Sequence, residues 1–155
     1  MNEFQDTGAF RPQRIRSERL RRFHEYWRRK AAGRIAPLRA DIDPLEVSFA
    51  LGHLLIAEAV PPGPRFRFRL MGDTIVERFA IDLTGRFLDD YPEENYRELV
   101  ARTFSSVIQR GEPVVVDRDF ATYGRRYRYE GLCLPLSSDG GAIDMLIACL
   151  EFKEG

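Results

Sequence analysis

The spacing of apolar side chains predicts a helix near the start of the chain. After Ser17, which can cap a helix, apolar and aromatic positions recur at a helical period, while arginines occupy the opposite side. Gly33 is suited to end this helix because glycine readily adopts a left-handed backbone. An amphipathic N-terminal helix is therefore predicted. Its buried face is expected to contain Leu20, Phe23, His24, Trp27 and Ala31.

Two strands and a tight turn are predicted next. Segment 53–60 is apolar, segment 61–64 is Pro-Pro-Gly-Pro, and segment 65–72 alternates between apolar and basic side chains. This alternation predicts a hairpin with one face in water. In the second strand the apolar positions are Phe66, Phe68 and Leu70, and the basic positions are Arg65, Arg67 and Arg69.

The rest of the chain is predicted to contain a short helix, a long helix and three strands. Gly72 ends the second strand, and a short helix follows it. The long helix is predicted over about 93–110 because its apolar positions follow a helical period, and Gly111 is suited to end it. Hairpin connections predict a five-stranded antiparallel sheet with the helices on one face, which is an α+β fold. The last three strands are predicted at 113–122, 125–137 and 142–152.

Composition and charge narrow the class of protein. Hydrophobic residues make up 44% of the chain and charged residues 31%, which is typical of a folded, water-soluble domain. No apolar run reaches the ~18 residues of a membrane span, and no signal peptide is recognisable, so a cytoplasmic location is expected. Residues 1–41 carry eleven basic and five acidic side chains. We expect this basic segment to pack on the acidic remainder; an acidic partner, nucleic acid or lipid surface is the alternative.

A single domain is predicted over residues 17–152, preceded by a flexible arm over 1–16 and followed by a short tail over 153–155. The two cysteines, Cys133 and Cys149, lie in apolar strand-like segments and match no metal-ligand spacing. We therefore expect buried free thiols, with a cross-strand disulfide as the alternative.

The order and spacing of several motifs resemble a PAS domain. Segment 71–86, MGDTIVERFAIDLTGR, is similar to the part of that fold where a strand passes into short helices, and segment 134–152 resembles its last hairpin. The chain is closer still to a bacterial family of stand-alone PAS-like proteins first catalogued as a domain of unknown function. This resemblance covers about residues 18–152. The shared motifs are Tyr26 with Trp27, ADIDP at 40–44, His53 with Leu54, and FRFRLMG at 66–72.

The resemblance implies a cavity between the sheet and the short helices. An aromatic-rich lining would suit an apolar or flat ligand, and a solid core without a ligand is the alternative. The expected lining is Phe68, Leu70, Ile75, Phe79, Val100, Phe104, Phe120 and Tyr127, with His53 and Arg69 as candidate polar contacts.

Two cofactors of the family are disfavoured by this sequence. Haem-binding members typically place a histidine on or near the long helix, but residues 91–112 contain none. Flavin photosensors carry a reactive cysteine among the short helices, but residues 72–92 contain none. Haem through a long-helix histidine and a covalent flavin are therefore not expected. Non-covalent flavin stays open, and the cofactor is unknown.

The sequence offers little support for catalysis, because it has no phosphate-binding glycine loop, HExxH or GxSxG motif. His53 with Asp117 and Asp119 is a candidate acid–base set, but the two aspartates share a strand face with Val115 and are expected to face solvent. A short helix is predicted over about 44–51, and we expect His53 to cap its end, with pH sensing or a ligand contact as the alternative. We expect Arg69 to form a salt bridge, with an anion anchor as the alternative.

These observations predict a non-catalytic sensory or regulatory module of bacterial signalling that binds a small molecule, a protein partner or both. A ligand-free adaptor that acts through its N-terminal helix is the alternative. A small enzyme is less favoured because no catalytic motif is recognisable. A nucleic-acid binder is less favoured because no helix-turn-helix is recognisable. The resemblance implies a homodimer and a separate signalling partner. The candidate interface residues are Leu20, Phe23 and Trp27, and packing within one chain or across a dimer is left open.

Overall fold

The computed structural model describes residues 2–5, 10–63, 65–122 and 124–153. Short 3-10 turns lie between the regular elements, and two of them are Leu51–His53 and Leu88–Asp90. The described part of the chain contains no helix that is both long and apolar enough to cross a membrane. The helices are α1 (Glu18–Ala31), α2 (Asp73–Phe79) and α3 (Glu94–Arg110), and the strands are β1 (Asn2–Gln5), β2 (Leu54–Val60), β3 (Arg65–Met71), β4 (Val114–Thr122), β5 (Arg125–Leu136) and β6 (Met145–Phe152).

The strands form one antiparallel sheet in the order β1-β4-β5-β6-β2-β3. The five predicted strands and the α+β fold are therefore confirmed, and β1 adds a sixth strand at the edge beside β4. α2 and α3 cover one face of the sheet, which we call the inner face. α1 covers the other, outer face.

The long helix begins and ends where its sequence predicts. The carboxylate of Glu93 accepts hydrogen bonds from the backbone N–H groups of Asn95 and Tyr96, which have no partner within the helix. Gly111 ends α3 in a left-handed conformation (φ 63°), and its N–H donates to the carbonyl of Val107. These two caps fix the register of α3 over the inner face.

The N-terminal segment is more ordered than the flexible arm predicted for residues 1–16. Within it the structure places β1, and Ile15 is fully buried in the outer core. The N–H groups of Arg16 and Ser17 donate to the carboxylate of Glu130 at 2.9 and 2.8 Å. These contacts tie the segment to β5. Residues 1 and 6–9, and residues 154–155 of the predicted tail, lie outside the described residues.

Helix α1 packs on the sheet of its own chain. Leu20 and Phe23 are fully buried, and the indole N–H of Trp27 donates to the carbonyl of Pro135 at 2.9 Å. These three side chains were the candidate interface residues, with packing within one chain or across a dimer left open, and in the structure they fill the outer core of their own chain. The physical reason is that the outer face of β5 and β6 is itself apolar and needs a cover.

Basic side chains of the N-terminal segment pair with acidic groups of the body, as the charge distribution predicts. Arg19 contacts the carboxylate of Glu151 at 2.7 Å, and Lys30 contacts that of Glu46 at 3.0 Å. Each pair is partly exposed, so solvent screens the attraction and each pair contributes little to stability. The pairs orient α1, and the apolar contacts of its other face supply the larger stabilisation.

An extra residue in β3 interrupts the predicted alternation. Phe68 pairs with Ala57, but the next pair joins Leu70 to Ile56, so Arg69 has no opposite residue on β2. A bulge of this kind reverses the faces beyond it. Leu70 therefore packs toward the outer core, although it was predicted to line the inner cavity, and Met71 takes the inner position.

The two cysteines are free and buried, as predicted. Cys133 belongs to the inner core and Cys149 to the outer core, so they lie on opposite faces of the sheet and are not placed to form a disulfide. Burial raises the pKa of Cys133 to about 12 and also raises the pKa of Cys149. Both thiols are therefore protonated at neutral pH.

The contact between Gly72 and the turn before β2 holds the start of α2. A Cβ atom at Gly72 would lie 2.8 Å from the carbonyl oxygen of Leu51 and closer still to that of Gly52. We predict that Gly72→Ala lowers the free energy of unfolding by about 1–3 kcal/mol, measured by urea denaturation. The control Gly141→Ala meets only a side-chain oxygen and should change stability by less than about 0.5 kcal/mol. Equal effects of the two variants would contradict this reading.

His24 is predicted to make folding stability sensitive to mild acid. It is buried between the rings of Phe10 and Trp27, and this burial lowers its pKa below 6.5. Below pH 6.5 the unfolded chain therefore binds the proton more readily than the folded chain does, so stability should fall as the pH falls toward the folded pKa. In urea denaturation from pH 7 to 5, His24→Gln should flatten this slope. An unchanged slope would refute the assignment.

Candidate functional site

An apolar cavity lies between α2, α3 and the inner face of the sheet. Its volume is about 50 Å³. We call it the inner cavity. Of its thirteen described lining residues, Tyr91 and Tyr96 carry hydroxyl groups, and the others are apolar. The site therefore offers apolar contact far more than hydrogen bonding.

Five of the predicted lining residues meet at this cavity. They come from β3, α2 and α3, which are distant in sequence and are brought together because each presents an apolar face to the inner side of the sheet. The rings of Phe66 and Phe68 each contact Phe104 edge-on, at centroid distances of 5.4 and 6.3 Å. The five residues are Phe68, Ile75, Phe79, Val100 and Phe104.

Phe120 and Tyr127 were also predicted to line the cavity, but they lie behind its wall. Tyr127 stacks on Phe79 at 4.8 Å with an interplanar angle of 9°, and Phe120 stacks on Tyr127 at 5.0 Å. The stack continues to Tyr96, 4.5 Å from Phe120. Phe120 and Tyr127 therefore support Phe79 and Tyr96, which line the cavity, without lining it themselves.

Phe79 is the residue on which this aromatic cluster centres. Its ring contacts those of Tyr91, Tyr96, Tyr127 and Phe152, among others, yet the side chain is only half-buried. It is the last residue of α2, and the following residue, Ala80, has a left-handed backbone (φ 58°). The C-terminal end of α2 thus forms the wall between the cavity and solvent.

A buried hydrogen bond joins two tyrosines beside the cavity. The hydroxyl oxygens of Tyr96 and Tyr129 are 2.5 Å apart. Burial raises the pKa of Tyr96 well above its usual value of 10. Tyr96 therefore stays neutral, and its hydroxyl is already engaged by Tyr129.

His53 and Arg69 do not line the inner cavity. The Nδ1–H of His53 donates to the carbonyl of Leu150 at 2.8 Å, so this ring joins the turn before β2 to β6. Arg69 lies on the exposed side of β3, 3.6 Å from the carboxylate of Glu58. The salt bridge predicted for Arg69 matches its contact, whereas the predicted helix cap by His53 is wrong, because its ring bonds to a carbonyl of β6.

The candidate acid–base set is not assembled. Asp117 is bonded to Lys153 at 2.8 Å and to Arg16 at 2.9 Å, while Asp119 accepts from Arg126. His53 is held at Leu150, away from these ion pairs. The described residues also contain no cluster of histidine, cysteine and carboxylate groups arranged to hold a metal ion.

Several lining residues were missed by the sequence analysis. Met71 was missed because the bulge in β3 cannot be read from alternation, and Leu83 and Leu88 lie in irregular segments that carry no periodic signal. The position of Tyr96 could have been predicted, because it lies on the apolar face of the long helix. Arg118 is buried and donates to the hydroxyl of Thr103 at 2.7 Å. Its inward direction could have been predicted, because side chains alternate along β4 and the preceding residue, Asp117, faces outward.

Comparison with known proteins identifies the family. The family model described as PAS domain matches residues 15–151. Because this match spans most of the chain, the chain belongs to the PAS domain family. The fold is that of a sensory or regulatory module, and the family is generally non-catalytic. No curated protein sequence matches the chain.

Solved structures align with the chain at low sequence identity. The PAS domain of Bordetella pertussis BvgS aligns with a TM-score of 0.55 and 16% identity, over 74% of this chain and 89% of that chain. A domain of an HTR-like protein from Haloarcula marismortui ATCC 43049 aligns with a TM-score of 0.46 and 13% identity, over 65% and 96%. An RNA-binding light-oxygen-voltage receptor aligns with a TM-score of 0.47 and 15% identity, over 70% and 33%.

Two matched variants on α3 test the cavity. Val100 faces it, whereas Val107 is fully buried and does not line it. Adding one methylene with Val100→Ile should fill empty space and stabilise the fold by up to about 0.8 kcal/mol. Val107→Ile should instead overpack the core and cost about 1–3 kcal/mol. Urea denaturation measures both, and a similar loss in the two variants would mean that no usable space exists at Val100.

Proposed function

We propose that this chain is a non-catalytic sensory module of bacterial signalling, in which a small apolar or aromatic molecule enters the inner cavity and moves α2. The observation that carries this proposal is the apolar void beneath α2. Protein interiors contain few voids larger than a water molecule, and apolar cavities that remain empty bind apolar ligands. Membership of the PAS domain family supports the sensory role.

The size of the cavity sets a condition on the ligand. A volume of about 50 Å³ is far below that of most ligand pockets, which is roughly 300–1,000 Å³. A ligand with more than a few heavy atoms therefore needs the wall to open. We propose that Phe79 is this wall, because it is half-buried and lies at the end of α2 opposite the Gly72 anchor.

The proposed signal passes through the sheet to α1. In β5 the inner residue Cys133 is next to the outer residue Leu132, so a shift of the inner face also moves the outer face. Trp27 couples α1 to β5 through its bond to Pro135. The exposed, arginine-rich side of α1 then contacts a separate signalling protein or a second copy of the chain. We place this module in the cytoplasm.

A ligand-free adaptor is the second candidate function. Leu45 and Ile35 lie outside both cores, with 86% and 66% of their surface exposed. Exposed apolar side chains of this kind are typical anchors for a protein partner. In this alternative the protein partner contacts Leu45 and Ile35. Leu20, Phe23 and Trp27 are not available to it, because they are buried within the chain.

The native mass spectrum of the purified protein, compared with its denatured spectrum, tests the sensor proposal. We expect an additional small mass that is lost on denaturation, and the native spectrum also gives the oligomeric state.

A second test uses indole as a defined aromatic probe. Its binding is followed by amide chemical shifts in NMR. Shifts should cluster at the residues that line the inner cavity. Val100→Ile should weaken indole binding about tenfold, because it occupies the space that the probe needs.

The control variant is Arg102→Gln on the exposed side of α3, which should bind indole like the wild type. A native mass equal to the polypeptide alone, together with no indole-induced shifts near Phe79 and Val100 at millimolar concentration, would contradict the sensor proposal. A partner lost on Leu45→Asp would then favour the adaptor.

A further inference from the structure

A second cavity lies at the C-terminal end of α2, where β5 begins and β6 ends. Its volume is about 170 Å³, and we call it the basic pocket. Five of its eight described lining residues are cationic. They are Arg78, Arg125, Arg126, Arg128 and Lys153. Three of these cations belong to the run Arg-Arg-Tyr-Arg at 125–128, at the start of β5.

Neighbouring carboxylates neutralise this charge in part. Asp119 accepts two hydrogen bonds from Arg126, at 2.9 and 2.8 Å, and lies 3.9 Å from Arg128. Asp117 pairs with Lys153 at 2.8 Å. The two aspartates, which belong to β4, thus partly neutralise three of the five cations.

The remaining charge favours an anion. Glu77 is the one carboxylate among the described lining residues, and Arg125 forms no ion pair within the part of the chain that the structure describes. Arg125 and Arg128 therefore keep guanidinium N–H groups that can turn toward a bound anion.

Two aromatic side chains, Tyr127 and Phe152, also line the pocket. Tyr127 is buried and stacks on Phe79, and the guanidinium of Arg78 lies over the ring of Phe152 at 5.3 Å. The pocket therefore combines several cations with two aromatic rings.

We propose that the basic pocket binds the phosphate groups of a small molecule, either free pyrophosphate or the phosphate end of a nucleotide. Guanidinium groups bind phosphate oxygens through paired hydrogen bonds, and four arginines line this pocket. Its volume of about 170 Å³ is below the roughly 300–1,000 Å³ of most ligand pockets, so we expect a small anionic group there. This site is separate from the inner cavity and does not depend on a ligand there.

Isothermal titration of the full chain with pyrophosphate, and separately with ADP, tests the proposal. Binding should weaken as salt is added, because the contacts are ionic and partly exposed. Arg125→Gln should weaken pyrophosphate binding about tenfold. The matched control Arg29→Gln removes the same charge from the exposed side of α1 and should change binding by less than about twofold. Circular dichroism checks that both variants fold.

Comparison of the two ligands identifies the source of the phosphate. Tighter binding of ADP supports a nucleotide, and equal or tighter binding of pyrophosphate supports the free anion. The proposal is overturned if neither ligand binds at millimolar concentration, or if Arg125→Gln and Arg29→Gln lose affinity equally. It is also overturned if a single-stranded RNA oligonucleotide binds while pyrophosphate and ADP do not.

Discussion

The structure depends on a sheet that is apolar on both faces. Gly131 to Leu136 in β5 and Met145 to Leu150 in β6 are buried without interruption. A strand buried on both faces requires a layer on each side. α2 and α3 provide one layer and α1 provides the other. Because α1 is needed as a cover, its apolar face is committed to the fold, and a partner must use its charged side or another surface.

The sequence predicts most of the architecture because its strongest patterns are local. Helical spacing in α3 and its end at Gly111, together with the alternation in β3, are properties of short segments, and they placed Val100 and Phe68 correctly at the cavity. The bulge at Arg69 is not local, since it depends on how β3 pairs with β2, and it moved Leu70 to the other face.

The role of α1 was harder to predict for a different physical reason. Periodicity shows that Trp27 lies on an apolar face, but it does not show which apolar surface covers that face. A sheet in the same chain and a helix of a second chain satisfy the same pattern. The burial of Ile15 was missed for a similar reason, because an isolated apolar residue in a polar segment has no period.

The inner cavity and the basic pocket meet at one short helix. Phe79 lines the cavity, and its neighbour Arg78 lines the pocket, while Gly72 holds the opposite end of α2. A change at either site therefore acts on the same element. The aromatic stack of Phe79 on Tyr127 connects the two linings directly.

Each of the two cores contains one cysteine, so a thiol reagent can report on each core separately. Cys133 lies among the residues under α2 and α3, and Cys149 lies among those under α1. A thiol reagent reaches either sulfur only when the corresponding layer lifts from the sheet, since both side chains are buried. The order in which the two react therefore distinguishes opening of the ligand side from detachment of the N-terminal helix, with no engineered reporter.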